Sequence, residues 1–267
     1  MISILLARLR LGHQTIAYPR GPTRFPERFH GRPALRPERC EAGCTACAEV
    51  CPTNAIAGTG ASLRLDMGAC LFCARCAEAC PADAVTFTRD YRLAMRSREE
   101  LVVRGDEATL ARALEERMAR LFGRSLRLRQ VSAGGCNGCE AELNASGNVQ
   151  FDLGRFGVQF VASPRHADGI VVTGPVSENM RAALRDTWEA TPAPRLVIAV
   201  GACAISGGVF AGAPDNAGGA EAALGVPVDL FIPGCPPHPV TILDGLLRLL
   251  GRVKGDRLKL AGTGIVA

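Results

Sequence analysis

The chain has 267 residues, 48% of them hydrophobic and 21% charged, a balance that excludes wholesale disorder and suits two domains of ordinary size. Aromatic residues make up only 5%, which argues against a stacking platform for nucleic acid, so no nucleic-acid partner is expected. The net charge of +5 is concentrated in residues 1–39, where eight arginines face two acids, and the remainder is near neutral.

In chain order, Ile2, Leu5, Leu6 and Leu9 share one face of a short predicted helix, with Arg8 and Arg10 off it. Pro19, Pro22, Pro26, Pro33 and Pro37 then prevent regular structure. Residues 1–39 therefore read as a basic arm that lies on a partner, lies on an anionic membrane surface, or is simply solvated. The apolar start is too short for a signal-peptide core, which points to a reducing compartment. There, clustered cysteines are metal ligands more often than disulfides.

Residues 40–95 carry the strongest signal. The segment Cys44-Thr-Ala-Cys47-Ala-Glu-Val-Cys51-Pro52 recurs 29 residues later as Cys73-Ala-Arg-Cys76-Ala-Glu-Ala-Cys80-Pro81. With Cys70 in front, the second copy has the spacing of the bacterial two-cluster ferredoxin run, whose fourth cysteine ligates the other cluster. That rule assigns Cys40, Cys44, Cys47 and Cys80 to one iron–sulfur cluster, and Cys70, Cys73, Cys76 and Cys51 to a second. One residue more separates Cys40 from Cys44 than Cys70 from Cys73. That longer loop either reaches the fourth corner, or leaves a three-iron cluster or a corner held by a non-protein ligand. Zinc is the rival metal for paired cysteines, but it explains neither the Cys-Pro ends nor the repeat.

Residues 96–124 read as a linker helix, capped by Asp106, with Leu110, Leu114, Met118 and Leu121 on one face. From 125 to 267 the pattern becomes strand alternating with helix. Strands are predicted over 125–131, 158–162, 169–173, 195–200 and 228–232, and helices from 139, from 177 to 188, and over 240–250. Alternation of this kind predicts a parallel sheet in an α/β domain. The uncharged stretch 196–214 reads as a buried strand and its following loop rather than a membrane span. Cys136, Cys139, Cys203 and Cys235 then fall in glycine-rich loops just past strand ends, where open α/β sheets place ligands. Four more cysteines make one more cluster, and all twelve are used.

The resemblance to known families is now specific. Residues 16–95 resemble the two-cluster ferredoxin-type subunit of complex I and membrane-bound hydrogenases, through Tyr18-Pro19, Phe29-His-Gly31, both cysteine runs and the tail from Asp90 to Leu101. Residues 125–251 resemble the small subunit of group 4 nickel–iron hydrogenases, homologous to the complex I 20 kDa subunit. The matching stretches are GGCNGCE at 134–140, FVASPRHAD at 160–168, VTGPVS at 172–177, VGACAISGG at 200–208 and IPGCPPHP at 232–239. The resemblance implies an α+β ferredoxin-like two-cluster domain followed by an α/β flavodoxin-like parallel-sheet domain. It implies three 4Fe-4S clusters, the third held by Cys136, Cys139, Cys203 and Cys235.

On the same resemblance, the catalytic centre belongs to a partner nickel–iron hydrogenase large subunit. The complex would sit on the cytoplasmic face of the inner membrane, with membrane subunits beside it and a formate dehydrogenase or ferredoxin-type electron donor. Complex I proteins usually carry adjacent cysteines where this chain has Cys136-x2-Cys139, so the spacing favours the formate hydrogenlyase or hydrogenase-4 branch over a quinone-reducing module. Four further residues are candidates for the third cluster's surroundings. Glu140 is either a proton relay or a first-turn acid on the helix dipole. Arg165 and His166 tune the cluster or belong to a structural turn. His238 titrates with the cluster or simply leads into the helix at Pro239.

Overall fold

The computed structural model describes residues 2–105, 107–114, 121–122, 125–253, 257–259 and 265–266, with 107–109, 257–259 and 265–266 described by their backbone alone. Helix α1 (Ile2–Leu11) forms where the apolar spacing predicts it, and none of its residues is buried. The arm that follows is not loose. Thr15 and Ile16 bond to the carbonyls of Val149 and Gln150, and Arg155 donates to the Ile16 carbonyl at 2.8 Å. Tyr18 is buried. Arg32 is only 2% exposed, so it cannot belong to a solvated basic surface.

The ferredoxin-type part begins earlier than residue 40. Strand β1 (Pro33–Leu35) pairs antiparallel with the later strand at Val85–Thr88. Proline is tolerated there because Pro33 is the first residue of the strand. Next come α2 (Ala46–Glu49), β2 (Ile56–Ala57), β3 (Arg64–Asp66), α3 (Arg75–Glu78), β4 (Val85–Thr88) and β5 (Val102–Val103). β2, β3 and β5 form one small antiparallel sheet, and β1 and β4 belong to another. The sequence repeat is a structural repeat, since α2 and α3 begin at equivalent positions and pack together.

The expected linker helix is absent from 107–114. Strand β6 (Glu107–Thr109) pairs with Arg257–Lys259, and residues 110–114 are irregular. Leu110 and Leu114 are buried as their spacing suggests, but by tertiary contact. The Ala111 and Leu114 amides bond to the carbonyls of Ala94 and Leu249 instead of closing helical turns. Asp106 and Met118 lie outside the described residues.

The second part follows the predicted alternation. Its elements are β7 (Leu126–Ser132), α4 (Gly138–Ser146), β8 (Val158–Phe160), β9 (Gly169–Thr173), α5 (Glu178–Ala190), β10 (Leu196–Val200), α6 (Ala202–Ser206), α7 (Ala220–Leu224), β11 (Leu230–Ile232) and α8 (Pro239–Leu249). All five strands are parallel, in the order β11-β10-β9-β7-β8. Numbered within this part, that is 2-1-3-4-5, the doubly wound flavodoxin-like order. β9 and β10 are buried at every residue, as a parallel sheet covered on both faces requires. One face shares a continuous apolar cluster with the ferredoxin-type part, and the other packs on α8 and the arm. Met95 seals the sheet edge by exchanging two backbone bonds with Phe231, at 3.0 and 2.9 Å. Among the described residues, no helix is long and apolar enough to cross a membrane.

Candidate metal centres

No disulfide joins any of the twelve cysteines. They gather in three groups. Burial pushes the Cys47 thiol up, and the sulfurs that add to the effect are Cys80, Cys40 and Cys44. Burial likewise pushes Cys70 and Cys76 up to about 12, with Cys51 and Cys73 as their neighbours. Cys51 therefore stands with the second run and Cys80 with the first. Cys40 is among the sulfurs that raise Cys47 despite the longer loop. In that longer loop Gly43 has φ +81°, and Phe72 before Cys73 is also left-handed at φ +55°. Such a bulky residue is rarely found there.

Backbone amides point at the sulfurs. Ala55 donates to Cys51 Sγ and Ala84 to Cys80 Sγ, both at 3.2 Å and both four residues on, and Phe72 donates to Cys70 Sγ at 3.2 Å. At Cys51 the amides of Thr53, Ala55 and Ile56 outweigh burial and hold the thiol below its ordinary value. A ring of amides of this kind stabilises a charged thiolate.

The third group comes from loops at the carboxyl edge of the sheet. Cys136 and Cys139 follow β7, Cys203 lies in α6 after β10, and Cys235 follows β11. Burial, joined by the charge of Glu140 and by the sulfurs of Cys203, Cys235 and Cys136, pushes Cys139 up to about 12, and burial joined by Cys235 and Cys136 pushes Cys203 up to about 11. The loop needs its glycines. A Cβ on Gly201, which sits at φ +89°, would stand 2.4 Å from Cys139 Sγ, and one on Gly208 would stand 2.8 Å from Cys203 Sγ. The first turn of α4 carries Cys139, so the positive end of the helix faces the sulfurs.

Two couplings join the groups. Cys76 feels Cys47, and Cys235 feels Cys73, so the second group neighbours each of the others. Among the described residues no three His, Cys, Asp or Glu side chains converge closely enough to share one metal ion. The donor set is all thiol, the soft ligand that iron–sulfur chemistry takes. Raised thiols are protonated at neutral pH, so loading metal must release protons.

The other candidate residues separate. Glu140 is buried beneath the third group, where Ser132 and Thr173 donate hydroxyls to its Oε1 at 2.6 and 2.7 Å. Burial pushes its carboxyl up, but those two bonds outweigh it and hold it below the usual range. Arg165 and His166 lie on a turn whose ends tie back to Leu128 and Arg127, near the start of β7, while Cys136 follows its end. Neither side chain bonds a sulfur among the described residues.

His238 caps α8, its Nδ1 accepting from the Val240 amide at 3.1 Å. Its ring is enclosed edge-on by Phe25, Phe29 and Phe151, and burial pushes its pKa down. The hydroxyls of Ser132 and Thr173 were not legible as partners of Glu140. Strand positions carry no local sign of which loop residue they will meet.

Residues 136–249 match the family described as NADH ubiquinone oxidoreductase, 20 Kd subunit, and residues 63–86 match a 4Fe-4S binding domain. The chain is 43% identical over 150 residues to the probable membrane-bound hydrogenase subunit mbhJ of Pyrococcus furiosus, covering 54% of this chain and 89% of that one. It is 44% identical over 128 residues to formate hydrogenlyase subunit 7 of Escherichia coli, covering 48% of this chain and 49% of that one. It is also 44% identical over 119 residues to an NADH-quinone oxidoreductase subunit of Citrifermentans bemidjiense, covering 45% of this chain and 68% of that one. Both motifs of the carboxyl-edge site, the Cys136–Glu140 loop and the Cys235 turn, fall inside the matched region, and the chain belongs to the family of the complex I 20 kDa subunit and the hydrogenase small subunits, with a 4Fe-4S ferredoxin-type region in front of it.

Proposed function

We propose that this chain is an electron-transfer subunit holding three 4Fe-4S clusters in a membrane-associated nickel–iron hydrogenase of the formate hydrogenlyase or hydrogenase-4 kind. Cys40, Cys44, Cys47 and Cys80 hold the first cluster, Cys51, Cys70, Cys73 and Cys76 the second, and Cys136, Cys139, Cys203 and Cys235 the third. The observation that supports this is that the thiols neighbour one another in these sets, Cys47 with Cys80, Cys40 and Cys44, Cys76 with Cys51 and Cys73, and Cys235 with Cys136, with Cys76 also near Cys47 and Cys235 near Cys73. When bound, each cluster supplies a one-electron carrier. The chain's own groups do the rest. Amides at Cys51, Cys70 and Cys80 stabilise sulfur charge, glycines at 201 and 208 make room, and buried Glu140 keeps a fixed negative charge below the third group. The catalytic centre belongs to a large subunit on another chain, and the complex lies on the cytoplasmic face of the inner membrane.

Iron and acid-labile sulfide on the anaerobically purified chain test the cluster count. About 12 of each is expected from three four-iron clusters. About 11 iron points to a three-iron cluster at Cys40, and zinc with little iron removes the redox function altogether. The likeness to an NADH-quinone oxidoreductase subunit favours a second reading, a complex I-like module that reduces quinone. Co-purification with a large subunit bearing two C-x-x-C nickel-ligand pairs eliminates it.

The arm supplies a further prediction. Deleting residues 2–11 is expected to release the chain from membranes with its iron content unchanged, because that helix buries nothing. Deleting 1–39 is expected to lower iron content as well, because it removes buried Arg32 and strand β1. Membrane fractionation with iron analysis checks both. A 2–11 deletion that stays on the membrane assigns attachment elsewhere.

A further inference from the structure

A cavity of about 220 Å³ lies at the seam of the two parts. One wall is Leu71-Phe72, the loop between Cys70 and Cys73, and the facing wall is the turn from Gly234 to His238 that carries Cys235. It thus lies against Cys235 of the third thiol group and against the loop that joins Cys70 to Cys73 of the second. Thr241 on α8 also lines it. This side chain is 1% exposed, and among the described residues its hydroxyl has no hydrogen-bond partner.

That orphan has a local cause. A helical threonine usually returns its hydroxyl to the carbonyl four residues back, as Thr187 and Thr191 do. Thr241 stands in the first turn of α8, so its fourth residue back is Pro237, outside the helix. A buried hydroxyl left without a partner costs free energy, and such groups are normally satisfied by ordered water where there is room. The cavity far exceeds the ~15 Å³ that one water needs. A second donor stands in the same wall. His238 Nδ1 accepts from Val240, so in the neutral ring Nε2 carries the proton.

We propose that this cavity holds a cluster of ordered water anchored on the Thr241 hydroxyl and the His238 Nε2–H, and that this water sets the reduction potential of the third cluster. The proposal rests on the reading that Cys235 and its three partners hold that cluster. Reduction adds one electron and breaks no bond, so the reduced state is the more negative one. Water dipoles and N–H or O–H donors stabilise that state, and hydrogen bonding and solvent access are among the factors that set cluster potentials. Taking the water away therefore lowers the potential.

Three variants of the full anaerobic chain test this, each followed by an EPR-monitored redox titration with iron and sulfide analysis. Thr241→Val keeps the shape and removes the hydroxyl, Thr241→Leu also fills space, and Thr241→Ser keeps the hydroxyl. At the wild-type midpoint, the reduced-to-oxidised ratio of the third cluster is expected to fall about threefold in Thr241→Val and further in Thr241→Leu. Thr241→Ser is expected to titrate like wild type, and the cluster at Cys40, Cys44, Cys47 and Cys80 is expected not to move in any variant. An unshifted third signal in Thr241→Val and Thr241→Leu at full iron content overturns the proposal. So does an equal shift in Thr241→Ser, or loss of iron from Thr241→Val, which makes Thr241 a structural residue. A wild-type chain that has iron but lacks a third signal removes the underlying reading instead, and the proposal with it.

Discussion

Replacing Cys51 by serine is expected to abolish the EPR signal of the cluster at Cys70, Cys73 and Cys76, and to leave intact the one at Cys40, Cys44 and Cys47. The nearest cysteines in sequence suggest the reverse, because Cys51 closes the first run. The thiols nonetheless cross. Cys70 and Cys76 both feel Cys51, while Cys47 feels Cys80 before any other sulfur. A hydroxyl is a poor substitute for a soft thiolate on iron. Iron is therefore expected to fall from about 12 to about 8 per chain when one four-iron cluster is lost. Cys80→Ser is expected to produce the complementary loss, the cluster of the first run. Cys51→Ser and Cys47→Ser variants that lose the same signal would show that the runs do not cross.

The second large effect lies away from the sulfurs. Asp244 on α8 is 1% exposed, accepts from the Tyr18 hydroxyl at 2.7 Å and pairs with Arg248 Nε at 2.8 Å. Nearby, Arg92 grips Asp90 through two bonds at 2.8 and 2.9 Å, and buried Arg32 bonds the Arg92 carbonyl at 2.8 Å. These charges join the arm, the ferredoxin-type part and the last helix. Burial pushes the Arg32 guanidinium down to about 10, and Asp90 opposes that. Breaking a buried ion pair by removing one partner costs about 3–5 kcal/mol. Asp244→Ala is expected to lose that much in urea unfolding of the anaerobic chain, and Tyr18→Phe about 1 kcal/mol, the worth of one hydrogen bond. An Asp244→Ala chain whose stability stays close to wild type would mean that the network adds nothing.

How much of this was legible depended on whether the signal was local. The parallel sheet was, because β9 and β10 are near-continuous apolar runs with turn residues at their ends. Over 107–114 the linker helix was misread because Leu110 and Leu114 have helical spacing, which is also what two buried residues in an irregular segment show. The backbone amides of Ala111 and Leu114 decided the matter by finding partners at Ala94 and Leu249, far along the chain. The arm was misread in the same way, since nothing around Arg32 in sequence announces that Asp90, Arg92 and Asp244 will surround it.

Local sequence was enough for the donor chemistry, because thiol spacing is set within runs of about ten residues and repeats in register. The family and the alternation of strand with helix were legible by the same local means. Other features had to wait for the packed chain. Among them are the place of Cys40 among the sulfurs that raise Cys47, the hold of Ser132 and Thr173 on Glu140, the distance of the Arg165–His166 turn from the carboxyl edge, and the cavity with an orphaned hydroxyl against Cys235 and the loop that joins Cys70 to Cys73. Each of those depends on residues from separate strands and helices meeting at one place, and the meeting is set by the packing of the whole sheet rather than by any stretch of chain.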